Sequence, residues 1–456
     1  MRMTAVVGMA LSLGLVAGCS GGSGSGSGSG PDAKAGGETP KAGESASSAP
    51  KGPVYKGAPV AGLAKQQAWS LPTDAARTCA GDASKGDKSE RSICALGDAV
   101  IVTGDRSGDP GSSGFTAQLL DAKSGELRKK FDFESPAEGA KQYSAERLVQ
   151  VSQWRDGSPA LLIRTRVDTP ATDLKKASTQ TVLTIYAPSG DKLGSSTFDG
   201  ETHLTTPVRG GYLVDTSAAG GNAKFIPIGD GETLTPNFTW LESKGKVGPG
   251  LGYSWTTDIS YQPAANWLIA TDIRSGKKAW STKELAPPAA IAKLVTDKTA
   301  TTARLTSLHG DEAVLEWSEY GKSEAVLTSI DLKTGRRIAE GPGIDTNGTI
   351  EDDGYAVSPD GKTAVVQYGK GAVAWNTETG KELWHQAKDE KNITPQALPG
   401  NGVLYAYLEG GKKAAFDVRD KKLLTAEIEE LPQFTANGYA IVRSADGFFA
   451  FATQPV

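Results

Sequence analysis

Residues Ser358–Trp384 read SPDGKTAVVQYGKGAVAWNTETGKELW, and this stretch decides the fold. The apolar run Tyr355–Val357 predicts a first short strand, and the SPDG turn leads into Thr363–Tyr368, whose β-branched and aromatic residues favour a second. Glycines end that strand, and Ala372–Trp375 and Glu382–His385 follow as a third and a fourth, joined by NTETG. Four short antiparallel strands with tight turns in about thirty residues are typical of one propeller blade.

The same strand–turn–strand unit recurs along the chain. Each copy contains an aromatic or aliphatic residue that is usually followed by Asp or Asn. A turn that ends in Gly comes next, and the following strand begins after it. Most turn glycines are about 42 residues apart, a period typical of a β-propeller. The copies are LDAKSGELRKKF (Leu120–Phe131), IYAPSGDKLGSS (Ile185–Ser196), IPIGDGETLTPN (Ile226–Asn237), ATDIRSGKKAWS (Ala270–Ser281), SIDLKTGRRIAE (Ser329–Glu340), AWNTETGKELWH (Ala374–His385) and FDVRDKKLLTAE (Phe416–Glu427), the last with Lys421 at the glycine position.

Two intervals between copies are longer than the rest and predict surface insertions. One contains the polar stretch Asp168–Gln180, which we expect to be a loop. The other contains Leu285–Thr302, rich in Ala, Lys and Thr, within which Ile291–Val295 favours a short helix.

The chain ends predict how the ring closes. After the seventh copy, Phe434–Ala436, Tyr439–Arg443 and Phe448–Thr453 read as three strands, and a fourth is missing. Gln67–Leu71 (QAWSL) resembles the outer strands of two copies, and pairing the chain ends would remove exposed sheet edges. We therefore expect an all-β, eight-bladed propeller with four antiparallel strands per blade. Seven blades is the alternative, if the Ile226 unit is only an insertion.

The first residues have the pattern of an exported protein. Arg2 is followed by the apolar run Ala5–Val16, which is too short to span a bilayer and has the length of a signal-peptide core. The run ends in VAGC, residues 16–19, which resembles the lipobox of bacterial lipoproteins. The resemblance implies a signal peptide over residues 1–18 and a diacylglycerol on Cys19, holding the protein on the extracytoplasmic face of the cell membrane. An ordinary signal peptide with a chance cysteine is the alternative.

The stretch after Cys19 has the composition of a tether. Residues 19–62 are rich in Gly, Ser, Ala and Pro and have almost no large apolar side chains. They cannot bury enough surface to offset their ordering entropy, so we expect disorder. A flexible coil of about forty residues has a root-mean-square reach of about 35 Å. The propeller domain is then expected over residues 63–456.

Two more cysteines, Cys79 and Cys94, complete the set of three. Export would place them in an oxidising compartment, and the segment between them is polar and turn-rich. We expect a disulfide that closes this loop and stabilises the fold by about 3 kcal/mol in the chain-entropy description. Two free thiols are the alternative.

The repeated pattern, together with the SPDG turn, resembles the PQQ-like and WD-type propeller repeats over roughly Gln66–Thr453. The resemblance implies the fold, whereas propellers serve as enzymes, scaffolds and sensors alike. Quinone-dependent dehydrogenases of the related fold carry a disulfide between adjacent cysteines and a Ca²⁺-binding acidic constellation. This sequence has no adjacent cysteines, and the acidic constellation is not recognisable. The resemblance therefore implies the scaffold and no cofactor.

Candidate metal ligands and catalytic residues are sparse. The three histidines, His203, His309 and His385, fall in different blades without the spacing of a metal site. Asp345 and Glu351–Asp353 offer the carboxylates that Ca²⁺ prefers, but they lack the alternating spacing of a calcium loop. A solvated acidic connection between blades is the favoured alternative. No set of nucleophile, base and acid is recognisable.

Tryptophans at repeat positions are expected to pack in the core or between blades rather than stack on a ligand. These are Trp280, Trp375 and Trp384. Five others are placed less regularly, and the alternative that some line a binding face stays open: Trp154, Trp240, Trp255, Trp267 and Trp317.

The composition argues against one class of binding partner. The formal net charge is −4 and no basic stripe is present, so nucleic acid is not an expected partner. We expect a monomeric, non-enzymatic, membrane-anchored scaffold that binds an envelope protein or peptide. A sensor for a small molecule or glycan in the propeller channel is the alternative. A quinone- or Ca²⁺-dependent enzyme ranks third.

Overall fold

The computed structural model describes most of the chain from residue 52 onward, and the structural statements below refer to that part. Its strands form eight sheets, the blades of a β-propeller, and it contains one short helix, α1 (Ala289–Leu294). No helix among the described residues is long and apolar enough to cross a membrane. The described residues are 52–72, 76–78, 91–105, 115–133, 149–169, 171–199, 203–215, 223–229, 231, 259–264, 267–294, 301–319, 322–346, 354–369 and 371–456.

The chain enters the ring through β1 (Leu63–Pro72), which belongs to the last blade, and then builds blades 1 to 4. Blade 1 begins with an additional short strand that runs parallel to its neighbour, whereas the other described pairings are antiparallel. The strands are β2 (Ala76–Thr78), β3 (Arg91–Leu96), β4 (Ala99–Asp105), β5 (Phe115–Asp121) and β6 (Leu127–Phe133) in blade 1; β7 (Val149–Gln153), β8 (Pro159–Thr169), β9 (Ser178–Tyr186) and β10 (Lys192–Asp199) in blade 2; β11 (His203–Val208), β12 (Gly211–Asp215) and β13 (Ala223–Pro227) in blade 3; β14 (Ile259–Ala264), β15 (Trp267–Asp272) and β16 (Lys278–Ser281) in blade 4.

Blades 5 to 8 complete the ring, and the unit that decides the fold is blade 6. Its four strands lie within two residues of the positions expected from the sequence. The strands are β17 (Thr301–His309), β18 (Glu312–Glu319), β19 (Glu324–Asp331) and β20 (Arg337–Asp345) in blade 5; β21 (Tyr355–Val357), β22 (Thr363–Tyr368), β23 (Gly371–Asn376) and β24 (Glu382–His385) in blade 6; β25 (Ile393–Ala397), β26 (Val403–Leu408), β27 (Lys413–Asp417) and β28 (Leu423–Ile428) in blade 7; β29 (Gln433–Phe434), β30 (Tyr439–Ser444) and β31 (Gly447–Thr453) in blade 8.

The ring closes as the sequence predicts. β1 is the fourth strand of blade 8 and pairs with β31, from Leu63 opposite Thr453 to Pro72 opposite Gly447. The seven-blade alternative is wrong, because Ile226 lies on β13 in a sheet of its own with β11 and β12. The first strands of neighbouring blades contact each other: β7 contacts β11, and β21 contacts β25. These first strands therefore line the centre of the ring.

The hydrophobic core lies between the blades, because each sheet packs both faces against its neighbours. In blade 6, Val366 and Val373 belong to a cluster shared with blade 5, and Val365 and Ala374 belong to one shared with blade 7. Successive strand residues point to opposite faces of a sheet. A strand buried on both faces must therefore be apolar without interruption, which is why β23 reads AVAW in its interior.

The Asp-x-x-x-Gly turns between the third and fourth strands share one geometry. In blade 5 the Asp331 carboxylate accepts hydrogen bonds from the Thr334 N–H (2.8 Å) and hydroxyl (2.7 Å), and the Gly335 N–H donates to the Asp331 carbonyl (2.8 Å). Gly335 has a φ of 70°, which glycine adopts without strain. In the degenerate copy Lys421 takes the same place with a φ of 64°. Asp121, Asp272 and Asn376 hold the equivalent turns of blades 1, 4 and 6.

Outer-strand tryptophans join neighbouring blades through a repeated hydrogen bond. The Trp280 indole N–H donates to the Leu332 carbonyl of the next blade (2.7 Å), while the Leu332 N–H donates to the Asp311 carbonyl (2.8 Å). A Cβ on Gly335 would lie 2.8 Å from the Trp280 ring, so the turn glycine also lets the ring pack closely. Equivalent bonds join Trp69 to Ala122 (2.8 Å) and Trp384 to Val418 (2.7 Å).

The two expected insertions differ in outcome. The short helix is confirmed as α1, one to two residues from its expected place. The loop expected over Asp168–Gln180 is shorter, because β8 continues to Thr169 and β9 begins at Ser178. Both strands carry β-branched residues, which favour strand structure and let the hairpin extend. The polar composition of Asp168–Gln180 indicated exposure to solvent and not a loop.

Packing against the ring begins at Pro53, upstream of the boundary expected at residue 62/63. The Gln67 side chain donates to the Pro53 carbonyl (2.8 Å) and accepts from the Tyr55 N–H (2.7 Å). The Tyr55 ring lies edge-on to Phe449 and Phe451, each 5.2 Å away between ring centroids. The segment after Gly52 therefore packs against blade 8.

Candidate functional site

The modification sites predicted from the sequence fall mainly outside the described residues. This holds for Cys19 and for Cys79. Cys94 lies on β3 and is buried, with 5% of its surface exposed. The lipid on Cys19 and the Cys79–Cys94 disulfide stay predictions.

The histidines are dispersed around the ring, as the sequence indicates. His203 begins β11, and the His309 Nε2 lies 3.3 Å from the Pro359 carbonyl at the SPDG turn. The His385 Nδ1 lies 3.2 Å from a Glu382 carboxylate oxygen on an outer strand. Among the described residues, no three His, Cys, Asp or Glu side chains form a group that could hold a metal ion.

The acidic stretch is only partly within the described chain. Asp345 ends β20, while Glu351–Asp353 lie outside the described residues. A Ca²⁺ site there stays an open alternative to a solvated connection.

A crevice between blades 5 and 6 is too small to bind a substrate. Its volume is about 10 Å³, room for about one water. It is lined by Ser307, His309, Glu312, Val357 and Thr377, among others. A pocket for a drug-sized ligand is roughly thirty times larger.

The Asx turns of five blades each present one charged side chain on the same face of the ring. In each of these blades the third turn position carries an exposed residue, and Asx hydrogen bonds fix the backbone of the turn. We call this set the turn array. Its members are Lys123, Arg274, Lys333, Glu378 and Arg419.

Ion pairs further fix this face between blades 1 and 2. Arg128 donates to both oxygens of Asp98 (2.9 Å each), to Asp121 (2.6 Å) and to the Pro188 carbonyl of blade 2 (3.0 Å). Burial alone would raise the pKa of Asp121, but hydrogen bonds from Ser124 and Arg128 outweigh it and lower the pKa to about 2. The network is charged at neutral pH and holds the first two blades together.

The tryptophans at repeat positions are packing residues, as expected. Trp280, Trp375 and Trp384 are 4%, 0% and 8% exposed. Of the less regular ones, Trp317 is buried and donates to the Thr328 hydroxyl (2.9 Å). Trp154 and Trp267 are half-buried beneath Arg155 and Lys283, and Trp240 and Trp255 lie outside the described residues.

The geometry defines the chain as a β-propeller. Residues 323–424, from β19 into β28, match the PQQ_2 family model, which is described as outer membrane protein assembly factor BamB. The match covers blades that carry the Asx turns and the tryptophan contacts, and the same features recur in blades 1 and 4.

Comparison with whole proteins gives more distant similarity. No curated protein matches the chain. The crystal structure of BamB from Moraxella catarrhalis is similar, with 15% identity and a TM-score of 0.42, over 85% of this chain and 99% of that one. A complex of KlAtg21 with the coiled coil of AgAtg16 is similar with 11% identity and a TM-score of 0.34, over 79% of this chain and 95% of the other.

Sequence reasoning missed the charged residues of the turn face. Arg155, Arg209 and Arg274 lie in three different blades and are more than fifty residues apart in sequence. No basic run marks them. The available signal was the repeat itself, because residues at equivalent turn positions must lie on the same face of a propeller.

Proposed function

We propose that this chain is a membrane-anchored, extracytoplasmic propeller that serves as a non-enzymatic scaffold for another envelope protein or peptide. The observation that carries the proposal is the turn array. Five charged side chains stand on turns whose backbones are fixed before any partner binds. Fixed turns lower the ordering cost of association, which is the usual advantage of a preorganised recognition surface.

The family whose model matches residues 323–424 is described as an assembly factor, which agrees with a scaffold.

Anchoring rests on the amino-terminal sequence. The VAGC sequence at residues 16–19 supports lipid attachment at Cys19, and the Gly- and Ser-rich stretch that follows supports a leash between membrane and propeller. A Cys19→Ala variant is expected to leave the membrane fraction while its propeller melts at the same temperature. Retention of the variant in that fraction would contradict a lipid anchor.

The scaffold proposal is tested by site-specific photo-crosslinking in cells. A photoreactive amino acid replaces Lys333 or Glu378 of the turn array, and a matched control replaces Glu409, which is exposed on a loop at the opposite face. We expect the array positions, and not Glu409, to give the same one or two envelope protein adducts. No adduct, or identical adducts from all three positions, would overturn the proposal.

A further inference from the structure

Three arginines from three successive blades meet on the turn face. A backbone hydrogen bond joins the turns of the first two, since the Gly210 N–H donates to the Gln153 carbonyl (3.0 Å). The Arg274 guanidinium group lies beside Gly210, where a Cβ would be 3.1 Å from its Nη2. Arg155 lies in the first turn of blade 2, Arg209 in the first turn of blade 3 and Arg274 in the turn before β16 of blade 4. We call these three residues the arginine cluster.

Stacking fixes two of these guanidinium groups. Arg155 lies over the Trp154 ring, 4.9 Å from its centroid, and its Nη2 donates to the Ile228 carbonyl (2.9 Å). Arg274 lies over the Phe225 ring at 5.7 Å. Both residues remain exposed, so their remaining N–H donors face solvent in a defined geometry.

Glycines allow the arginines to approach one another. A Cβ on Gly210 would lie 2.8 Å from the Arg155 Cγ and 3.1 Å from the Arg274 Nη2, so these two side chains flank the same backbone position. A Cβ on Gly157 would lie 3.3 Å from the Arg209 Nη2. A larger side chain at either glycine would displace a guanidinium group.

Charge in the cluster is not balanced from within. Arg209 pairs with Asp311 (3.3 Å), which also lies 3.7 Å from Lys333. The nearby Asp156 is ionised, because hydrogen bonds from Ser158 and then the charge of Arg209 lower its pKa. Within the described part of the chain, neither Arg155 nor Arg274 has a carboxylate at ion-pair distance.

We propose that the arginine cluster binds an acidic segment of the partner polypeptide, an inference that rests on the proposed scaffold function. A guanidinium fork matches a carboxylate in two parallel hydrogen bonds. Arg155 and Arg274 supply the exposed guanidinium groups, whereas Arg209 is buried and pairs with Asp311. The two exposed groups stand on different turns, which fits two carboxylates of one extended chain. Lys333 of the turn array lies on the same side and extends the positive surface toward blade 5.

The test uses the full chain carrying Cys19→Ala and a fluorescein-labelled peptide of alternating Glu and Ser, with the Gln-for-Glu peptide beside it. Fluorescence anisotropy is expected to show binding of the Glu peptide only, weakening as salt is added. Arg274→Glu and Arg155→Glu are each expected to weaken binding about tenfold or more. Lys176→Glu is the control with the same change of charge, since Lys176 is exposed in the connection between β8 and β9 on the opposite face of blade 2, and it is expected to leave affinity unchanged.

Several outcomes would overturn the inference. They are no binding of the Glu peptide, an equal loss of affinity in Lys176→Glu, and displacement of the labelled peptide by inorganic polyphosphate at a lower concentration than by the unlabelled peptide. Unchanged melting curves show that each variant is folded. If the peptide fails to bind but the crosslinks at Lys333 persist, the scaffold function stands and only the acidic-segment inference falls.

Discussion

The indole N–H of Trp280 in blade 4 bonds the carbonyl of Leu332 in blade 5 at 2.7 Å, and both groups are buried. Because one partner is a side chain of an outer strand and the other a backbone group behind the next turn, the bond joins two blades rather than two strands. Removing it affects the packing of the whole ring.

Trp280→Phe keeps most of the ring but leaves the Leu332 carbonyl without its donor. We expect a loss of about 1–3 kcal/mol in the free energy of unfolding, the cost of an unsatisfied buried group. Trp280→Ala adds a cavity and should cost about 3–5 kcal/mol. Urea unfolding followed by circular dichroism measures both. Trp267→Phe, at a half-buried position beneath Lys283, is the control, and an equal loss there would refute the specific role of the bond.

Lys421 occupies the left-handed region, with a φ of 64°, at a position where other copies have glycine. Its ammonium pairs with Glu390 and lies 5.7 Å from the Trp384 ring centroid. Lys421→Ala loses these contacts and keeps the backbone strain, whereas Lys421→Gly loses the contacts and relieves it. We expect the Gly variant to be more stable than the Ala variant by about 1 kcal/mol. Equal urea unfolding midpoints for the two variants would show that the backbone at residue 421 is not strained.

Glu316 makes the free energy of unfolding depend on pH, and the direction of this dependence follows from its environment. Burial raises its pKa, which Arg304 at the paired position of β17 only partly offsets, and its Oε2 has no hydrogen-bond partner among the described residues. The folded chain therefore keeps this proton to higher pH than the unfolded chain. Its contribution to stability falls as the pH rises from the ordinary glutamate value through the raised one.

Glu316→Gln is therefore expected to be more stable than the parent chain at pH 7, and to lose that advantage below pH 4. Urea midpoints across this range measure the difference. Glu427→Gln is the control with the opposite sign, since the Lys412 hydrogen bond lowers the pKa of that exposed carboxylate. A Glu316→Gln variant less stable than its parent at pH 7 would show that the charge is stabilised in the fold.

The Cys79–Cys94 disulfide agrees with the register of β2 and β3. Thr78, which ends β2, pairs with Ile93 of β3 in parallel, and Cys79 and Cys94 follow these two residues in the sequence. Neighbouring strands lie about 4.8 Å apart, within the Cα separation of a disulfide. We expect both thiols to resist alkylation until reduction, as read by mass spectrometry. Cys79→Ala with Cys94→Ala should cost about 3 kcal/mol. Ready alkylation of the native chain would refute the bridge.

The repeats allowed most of the fold to be predicted from the sequence. An apolar run such as β23, ended by an Asx turn and followed by Trp384, indicates a strand, a turn and an outer strand without reference to the rest of the chain. Even ring closure was predictable, because Trp69 repeats the outer-strand pattern at the other chain end. The parallel strand β2 was not, since three residues show no period.

The sequence by itself determined the blade unit and the tryptophans that pack between blades, because strand period and turn chemistry are local properties. The structure decided between eight blades and seven, because Ile226 lies in a sheet of its own with β11 and β12. Only the tertiary structure decided which charged residues share a surface. Arg155, Arg209 and Arg274 meet because the packing of blades 2, 3 and 4 against one another brings their turns together. That proximity depends on the packing of sheets against one another, and no local pattern in the chain records it.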